Sequence, residues 1–336
     1  MCGRGALTLS GDRCRRIAGG DGRKTKTRGC ERLRTKYNLG PMNYVPVVRT
    51  VEESAEALSR EVCTMRWGLV PSFAKRAEDF DAFKGGSSTF NARVEGAESS
   101  NLWRRLLDRR RCVVLFDGFY EWKANGKSKT PMFIRNRDEY DGHTIPWSTK
   151  TDEEPTKMEE SADESKIDGP EHAPLFLAGL YDVWHQKDEA EEALESVTLL
   201  TMDPQHTAME KVHDRMPVFL TPETAASWLD LQRPFKEIIS NVLKVSQAHA
   251  QSELFLYEVS PLVSNIRNES PDCVLPKKKY DEKQLSKGIG RFFRPKTDAG
   301  NEPRIGKEGE FSGQKRSIDQ DKDQVDDKVA KVIRVD

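Results

Sequence analysis

From residue 149 to residue 172 the chain reads TKTDEEPTKMEESADESKIDGPEH, with neither the 3.6-residue nor the two-residue spacing of apolar side chains. This stretch interrupts a series of strand-like segments, so any fold must be assembled from parts on both sides of it. Low hydrophobicity with high net charge cannot offset the entropy of ordering, and residues 136–173 are expected to form a disordered insert. Two further stretches share that character. GGDGRKTKTRG (19–29) reads as an inserted loop, and residues 296–336 mix both charge signs with few aromatics and read as a tail.

These segments account for the composition. Only 36% of the 336 residues are hydrophobic and 32% are charged, against roughly 45–50% and 25% in an ordinary globular domain. Residues 135–172 carry a net charge of −7 and residues 296–336 a net of −1, so the total of −1 leaves +7 on the remainder. Basic clusters lie at Arg13, Arg15 and Arg16, at 23–36 and at 104–111. A basic body attracts phosphate backbones. No run of 18 apolar residues occurs, and the N-terminus MCGRGALTLSGDRCRR lacks an apolar h-region. Neither a transmembrane helix nor a secretory signal is expected. Six cysteines without a CxxC pair argue against a zinc ribbon or a disulfide framework, and a reducing intracellular compartment is expected.

Strand signals dominate what is left: 113–120, 131–135, 175–184, 197–202, 217–220 and 254–259 are short, rich in β-branched or aromatic residues and bounded by turn residues. Helices are expected at 101–110, where Leu102, Trp103, Leu106 and Leu107 recur at helical spacing, after the Thr221-Pro222 cap, and over 235–242. Strands outnumber helices without βαβ alternation. The expected fold is one α+β domain over 1–276 with a mainly antiparallel, barrel-like β core, followed by a disordered tail over 277–336. There is no GxGxxG and no P-loop, which disfavours nucleotide-binding folds.

Candidate chemistry starts at Cys2. Loss of Met1 would leave an N-terminal cysteine, whose amine and thiol have reference pKa values of about 7.7–8.0 and 8.5. An amine condenses with an aldehyde to a Schiff base, and a neighbouring thiol then closes a thiazolidine ring. Asn91 and Arg93, two apart in FNAR, point to one face of an extended segment and suit a sugar or phosphate. Glu121, between Tyr120 and Trp122 in GFYEWK, is placed to have a raised pKa and act as a general acid or base. His213 precedes an apolar strand and suits proton transfer near neutral pH. HExxH, GxSxG and zinc-ligand spacings are absent, and neither metal nor organic cofactor is expected.

Met-Cys-Gly-Arg at the start, YNLGP (37–41), RWGLVP (66–71), FNARVE (90–95), GFYEW (118–122), HDRMP (213–217) and VSPLVSN (259–265) together resemble the SOS-response-associated peptidase (SRAP) family, in the family's order across 1–276. The resemblance implies a sensor of abasic sites in single-stranded DNA, which crosslinks covalently to the ring-opened sugar through Cys2. It implies autoproteolytic loss of Met1, catalytic roles for Cys2, Asn91, Glu121 and His213, and DNA contacts from Arg4, Trp67 and Arg93. Gly40 stands where alanine is expected, a change of small consequence. Two other readings of the same residues are a non-covalent reader of damaged or modified DNA and a cysteine peptidase acting on other proteins. In the tail, Ile289, Phe292 and Phe293 have the I-x-x-F-F spacing of a segment that docks on the replication sliding clamp, with Ser286 in place of the usual glutamine (286–293). Basic clusters at Lys277–Lys279 and Lys315–Arg316 suggest a nuclear protein, and a monomer is expected.

Overall fold

The computed structural model describes residues 2–19, 25–54, 57–81, 88–146, 172–186 and 193–292. Fourteen strands and four α-helices follow in chain order among them: β1 (Gly5–Leu7), α1 (Gly11–Ile17), β2 (Thr25–Arg28), β3 (Lys36–Leu39), β4 (Tyr44–Ser54), β5 (Ala57–Trp67), β6 (Asn91–Arg93), β7 (Arg111–Phe116), β8 (Gly118–Asn125), β9 (Ser128–Asn136), β10 (Leu175–Trp184), β11 (Leu194–Met202), β12 (Met216–Pro217), β13 (Phe219–Leu220), α2 (Pro222–Leu229), α3 (Phe235–Ser252), β14 (Leu254–Glu258) and α4 (Lys277–Phe292).

The strands form two sheets. One has the order β14-β9-β8-β1-β3 and is antiparallel throughout. The other runs β12-β11-β10-β7-β4-β5-β2, and an added parallel pairing of β11 with β5 closes β11, β10, β7, β4 and β5 into a five-stranded barrel. The α+β fold with a mainly antiparallel, barrel-like core is therefore what the chain adopts. Every residue of β7 is buried, which is why RCVVLF shows no polar alternation: both of its faces are covered.

Local chemistry sets the element ends. Thr221 caps α2 in a reciprocal capping box with Thr224, and Pro222 occupies the first turn. Helix α3 buries Phe235, Ile238, Val242 and His249 along one stripe. The strand expected over 113–120 breaks at Asp117, whose N–H bonds Ala6 O and whose carboxylate accepts from Thr8 N–H. Fully buried Arg111 donates to the carbonyls of Trp228, Leu107, Asp230 and Arg233, satisfying groups that the end of α2 leaves open.

Four expectations change. Residues 101–110 stay a run of linked turns, with i→i−4 bonds (Arg104 N to Ser100 O) alternating with i→i−3 bonds (Leu106 N to Trp103 O) while Leu106 and Leu107 are held in the core. The 19–29 loop contains β2, which pairs in parallel with β5; 20–24 lie outside the described residues. The insert expected over 136–173 is narrower, because Asn136 ends β9 and Ile145 is buried, its carbonyl bonded by the buried guanidinium of Arg60; 147–171 lie outside the described residues. Residues 277–292, assigned to the tail, form α4, tied back by Lys283 to Asp272. Met1–Ile289 forms one compact unit.

Candidate functional site

Strand β1 carries the amino terminus into the five-stranded sheet, between β3 and β8. The bond from Tyr120 N–H to Arg4 O (2.9 Å) extends the β1–β8 pairing past Gly5↔Phe119 towards Cys2. Cys2 is 1% exposed. Asn91, on β6 beside β11 of the barrel, donates from Nδ2 to Cys2 O at 2.8 Å. One side-chain bond thus joins the backbone of Cys2 to the other sheet. Asn91 Oδ1 is buried with no hydrogen-bond partner among the described residues, an acceptor available to a ligand.

Glu121 is 3% exposed on β8. Burial pushes its carboxyl up to about 7. Burial also raises the Cys2 thiol well above its ordinary value, and the charge of Glu121 adds to the rise. His213 follows a 3₁₀ turn (Ala208–Lys211), and its N–H bonds Met209 O. Its Nε2 lies 3.7 Å from Glu121 Oε2. Its Nδ1 accepts from Arg215 N–H at 3.1 Å and lies 2.7 Å from Asp214 Oδ1. The first contact suits the neutral ring and the second the imidazolium. Burial lowers the His213 pKa, so the neutral ring that receives a proton predominates at neutral pH.

The structure therefore gathers Cys2, Asn91, Glu121 and His213 from four separate parts of the chain. Arg93 is exposed two residues beyond Asn91, as the alternation in FNAR requires. The other two expected DNA contacts have different surroundings. Trp67 is a core residue, 0% exposed, donating from Nε1 to Phe90 O and packed edge-on against Phe90 and Phe116, so neither face of its ring reaches the surface. Arg4 is half-buried, and its Nη1 donates to Asn38 Oδ1 (2.8 Å) and Val263 O (3.0 Å) while the guanidinium lies over Trp122. It links YNLGP and VSPLVSN, so those two motifs serve the frame around β1. A Cβ at Gly40 in YNLGP would come 2.6 Å from Ile266 Cδ1, the movable end of a side chain, so alanine there needs only a small shift of Ile266.

Sequence reasoning missed the pair that holds the histidine loop. Arg215 binds Glu95 with both terminal nitrogens (2.7 and 2.8 Å) and donates to Thr201 O (2.6 Å). This fastens the loop carrying His213 to the segment that carries Asn91 and Arg93. The only available signal was a basic residue in HDRMP and an acidic one in FNARVE. Ile289 and Phe292 lie on α4, and Phe293 lies outside the described residues. Among the described residues no group of three or more His, Cys, Asp or Glu side chains suits a metal ion.

Comparison with known proteins gives a consistent result. The family model described as SOS response associated peptidase (SRAP) matches residues 1–266. The chain is 32% identical over 287 residues to the chicken (Gallus gallus) abasic site processing protein HMCES, covering 82% of this chain and 78% of that one. It is 27% identical over 241 residues to the Bacillus subtilis abasic site processing protein YoqW, covering 71% and 84%. A crystal structure of a protein from Bacteroides thetaiotaomicron shares the fold with a TM-score of 0.57 at 20% identity, covering 82% of this chain and 99% of that one.

Proposed function

The chain belongs to the SRAP family, and from that premise we propose that it processes abasic sites in DNA, capturing the ring-opened sugar covalently through the amino terminus of Cys2. The observation that supports this most is the convergence of Asn91, Glu121 and His213 on a buried cysteine at position 2.

The steps follow from the protonation states. Hydrolysis of the Met1–Cys2 bond, which we assign to the chain itself, releases methionine and exposes the amine. A thiol with a raised pKa is protonated at neutral pH, so the amine attacks the aldehyde first. The carbinolamine then loses water to give an imine, and Glu121, poised near pH 7, donates the proton that carries the hydroxyl away. The Cys2 sulfur adds to the imine carbon, its proton passes to nitrogen through Glu121 or His213, and a thiazolidine ring results. Asn91 holds the Cys2 carbonyl throughout. Arg93, exposed beside it, is assigned to a flanking phosphate.

A denaturing gel tests the reading. Purified protein, with Met1 removal verified by intact mass, is mixed with a single-stranded oligonucleotide carrying one abasic site. A band that survives heat and detergent is expected, absent with undamaged DNA. Cys2→Ser keeps the amine and loses the thiol. It should give no heat-stable band, yet yield one after borohydride reduction of the imine. A heat-stable band from Cys2→Ser without reduction would refute ring closure by the thiol, and no band from wild type in either format would refute covalent capture.

The proposal extends to a nuclear setting, with docking on the sliding clamp through Ile289, Phe292 and Phe293. Replacing Phe292 and Phe293 with alanine should remove clamp retention in a pull-down and leave crosslinking intact; unchanged retention would sink this part.

A further inference from the structure

Past Trp122 the β8–β9 hairpin runs out beyond the sheet that carries it. On one side, Tyr120 N–H to Arg4 O is the last bond between β8 and the amino-terminal segment; on the other, Val259 N–H to Pro131 O is the last bond to β9 from the end of β14. Residues 123–130 then pair only with each other, as Lys123↔Thr130, Ala124↔Lys129 and Asn125↔Ser128. The chain reverses at Gly126, whose φ of 61° is the left-handed value such a turn requires. Residues 124–129 are all exposed. A two-stranded ribbon is marginally stable by itself, and this one buries no core residue, so packing does not account for it.

Its charge is one-sided. Residues 122–131 include Lys123, Lys127 and Lys129 and no acidic residue. None of the three lysines has an ion pair among the described residues, whereas Lys36, Lys277 and Lys283 each pair with a carboxylate. Like charges gathered on a small ribbon repel one another, and a polyanion relieves that repulsion. The ribbon starts at the candidate site. Lys123 follows Glu121 by two residues on the same face of β8. Burial lowers the His213 pKa and the charge of Lys129 adds to the lowering, so the returning strand acts on the site as well. The root is held: Trp122 donates from Nε1 to Ser264 Oγ at 3.3 Å, and the Arg4 guanidinium lies over its ring. From Glu121 to Asn125 the strand advances about 13 Å, the rise of about four nucleotides in a stacked strand.

We propose that this hairpin is a binding arm that follows the phosphate backbone on one flank of the captured nucleotide, with Lys123, Lys127 and Lys129 each meeting a phosphate. The inference rests on the abasic-site reading given above and adds the flank to it.

Fluorescence anisotropy of the full chain tests the arm apart from the chemistry. The probes are single-stranded oligonucleotides with one tetrahydrofuran abasic analogue, which has no aldehyde and cannot be captured covalently. One probe has six nucleotides on both sides of the analogue, one only on its 5′ side and one only on its 3′ side. Replacing Lys123, Lys127 and Lys129 together with glutamine should weaken binding of the two-flank probe about tenfold at 0.15 M salt and reduce the slope of log affinity against log salt by about 2. Replacing all three with arginine should keep wild-type affinity, and both variants should melt with wild type. The loss should appear with one of the single-flank probes and fall within twofold of wild type with the other. Unchanged affinity and slope in the glutamine variant would overturn the arm, as would an equal loss on both single-flank probes or the same loss in the arginine variant. Failure of wild type to crosslink an aldehyde-bearing strand would refute covalent capture and leave these binding results standing.

Discussion

A carboxyl group held near pH 7 in a 3%-exposed position destabilises the fold that holds it. Glu121 has its folded pKa raised from an ordinary 4.5 to about 7. Its contribution to stability is therefore fully present below about pH 4.5 and lost as pH rises through about 7. Glu121→Gln should make the protein more stable than wild type at pH 8, by on the order of 3 kcal/mol, measurable as a higher melting temperature. The same change should slow crosslinking by roughly 10²–10⁴ and remove the fall in wild-type rate as pH rises through about 7, where the acid form disappears. A variant that kept that limb would assign the proton donor to another group. Cys2 and Glu121 are legible in the sequence because their chemistry is unusual where they stand. The burial of Trp67 is not, since an aromatic beside Gly68 and Pro71 reads equally as a surface turn and as the core plug it is.

At the scale of elements, the site depends on one loop being fastened to one short strand. The Arg215–Glu95 pair crosses between them, and Glu95 is half exposed, so its worth to global stability is about 1 kcal/mol or less. Its worth to geometry is greater, because His213 has only a 3₁₀ turn behind it. Glu95→Ala should lower the maximal crosslinking rate about tenfold and leave the DNA concentration for half-maximal rate and the melting temperature nearly unchanged; Glu95→Asp should restore part of the rate. An unaffected rate would show that the loop holds His213 without the pair. Elements whose pattern is local were readable: the capped α2 and the strands β10, β11 and β14 follow from turn residues and β-branched runs. The β4–β5 hairpin was not. Its charged residues look like breaks, but Arg49 and Glu61 close a ring with Arg28 of β2 and Glu195 of β11, a pairing that only the tertiary fold creates. The helix expected at 101–110 failed for the complementary reason: helical spacing is present, yet core contacts at Leu106 and Leu107 decide the backbone.

For the whole molecule, the question is how a neutral chain binds a polyanion. Residues 147–171 carry nine acidic and three basic side chains. Of their described neighbours on either side, Pro146 accepts from Arg60 at its carbonyl and His172 Nε2 lies 3.0 Å from Asp117 O. The salt dependence of binding measures how strongly these charges act on bound DNA. The screening length is about 8 Å at 0.15 M salt and about 30 Å at 0.01 M. A chain with 147–171 excised should therefore bind abasic single-stranded DNA within about twofold of wild type at 0.15 M salt and tighter than wild type at about 0.01 M. Arg93→Ala, by contrast, should lower affinity at both salts and reduce the slope of log affinity against log salt by about 1. Fluorescence anisotropy across a salt series separates the two effects. A large gain on excision at 0.15 M would mean that the acidic segment competes with DNA at the site itself, and the chain's neutrality would then be a form of self-inhibition.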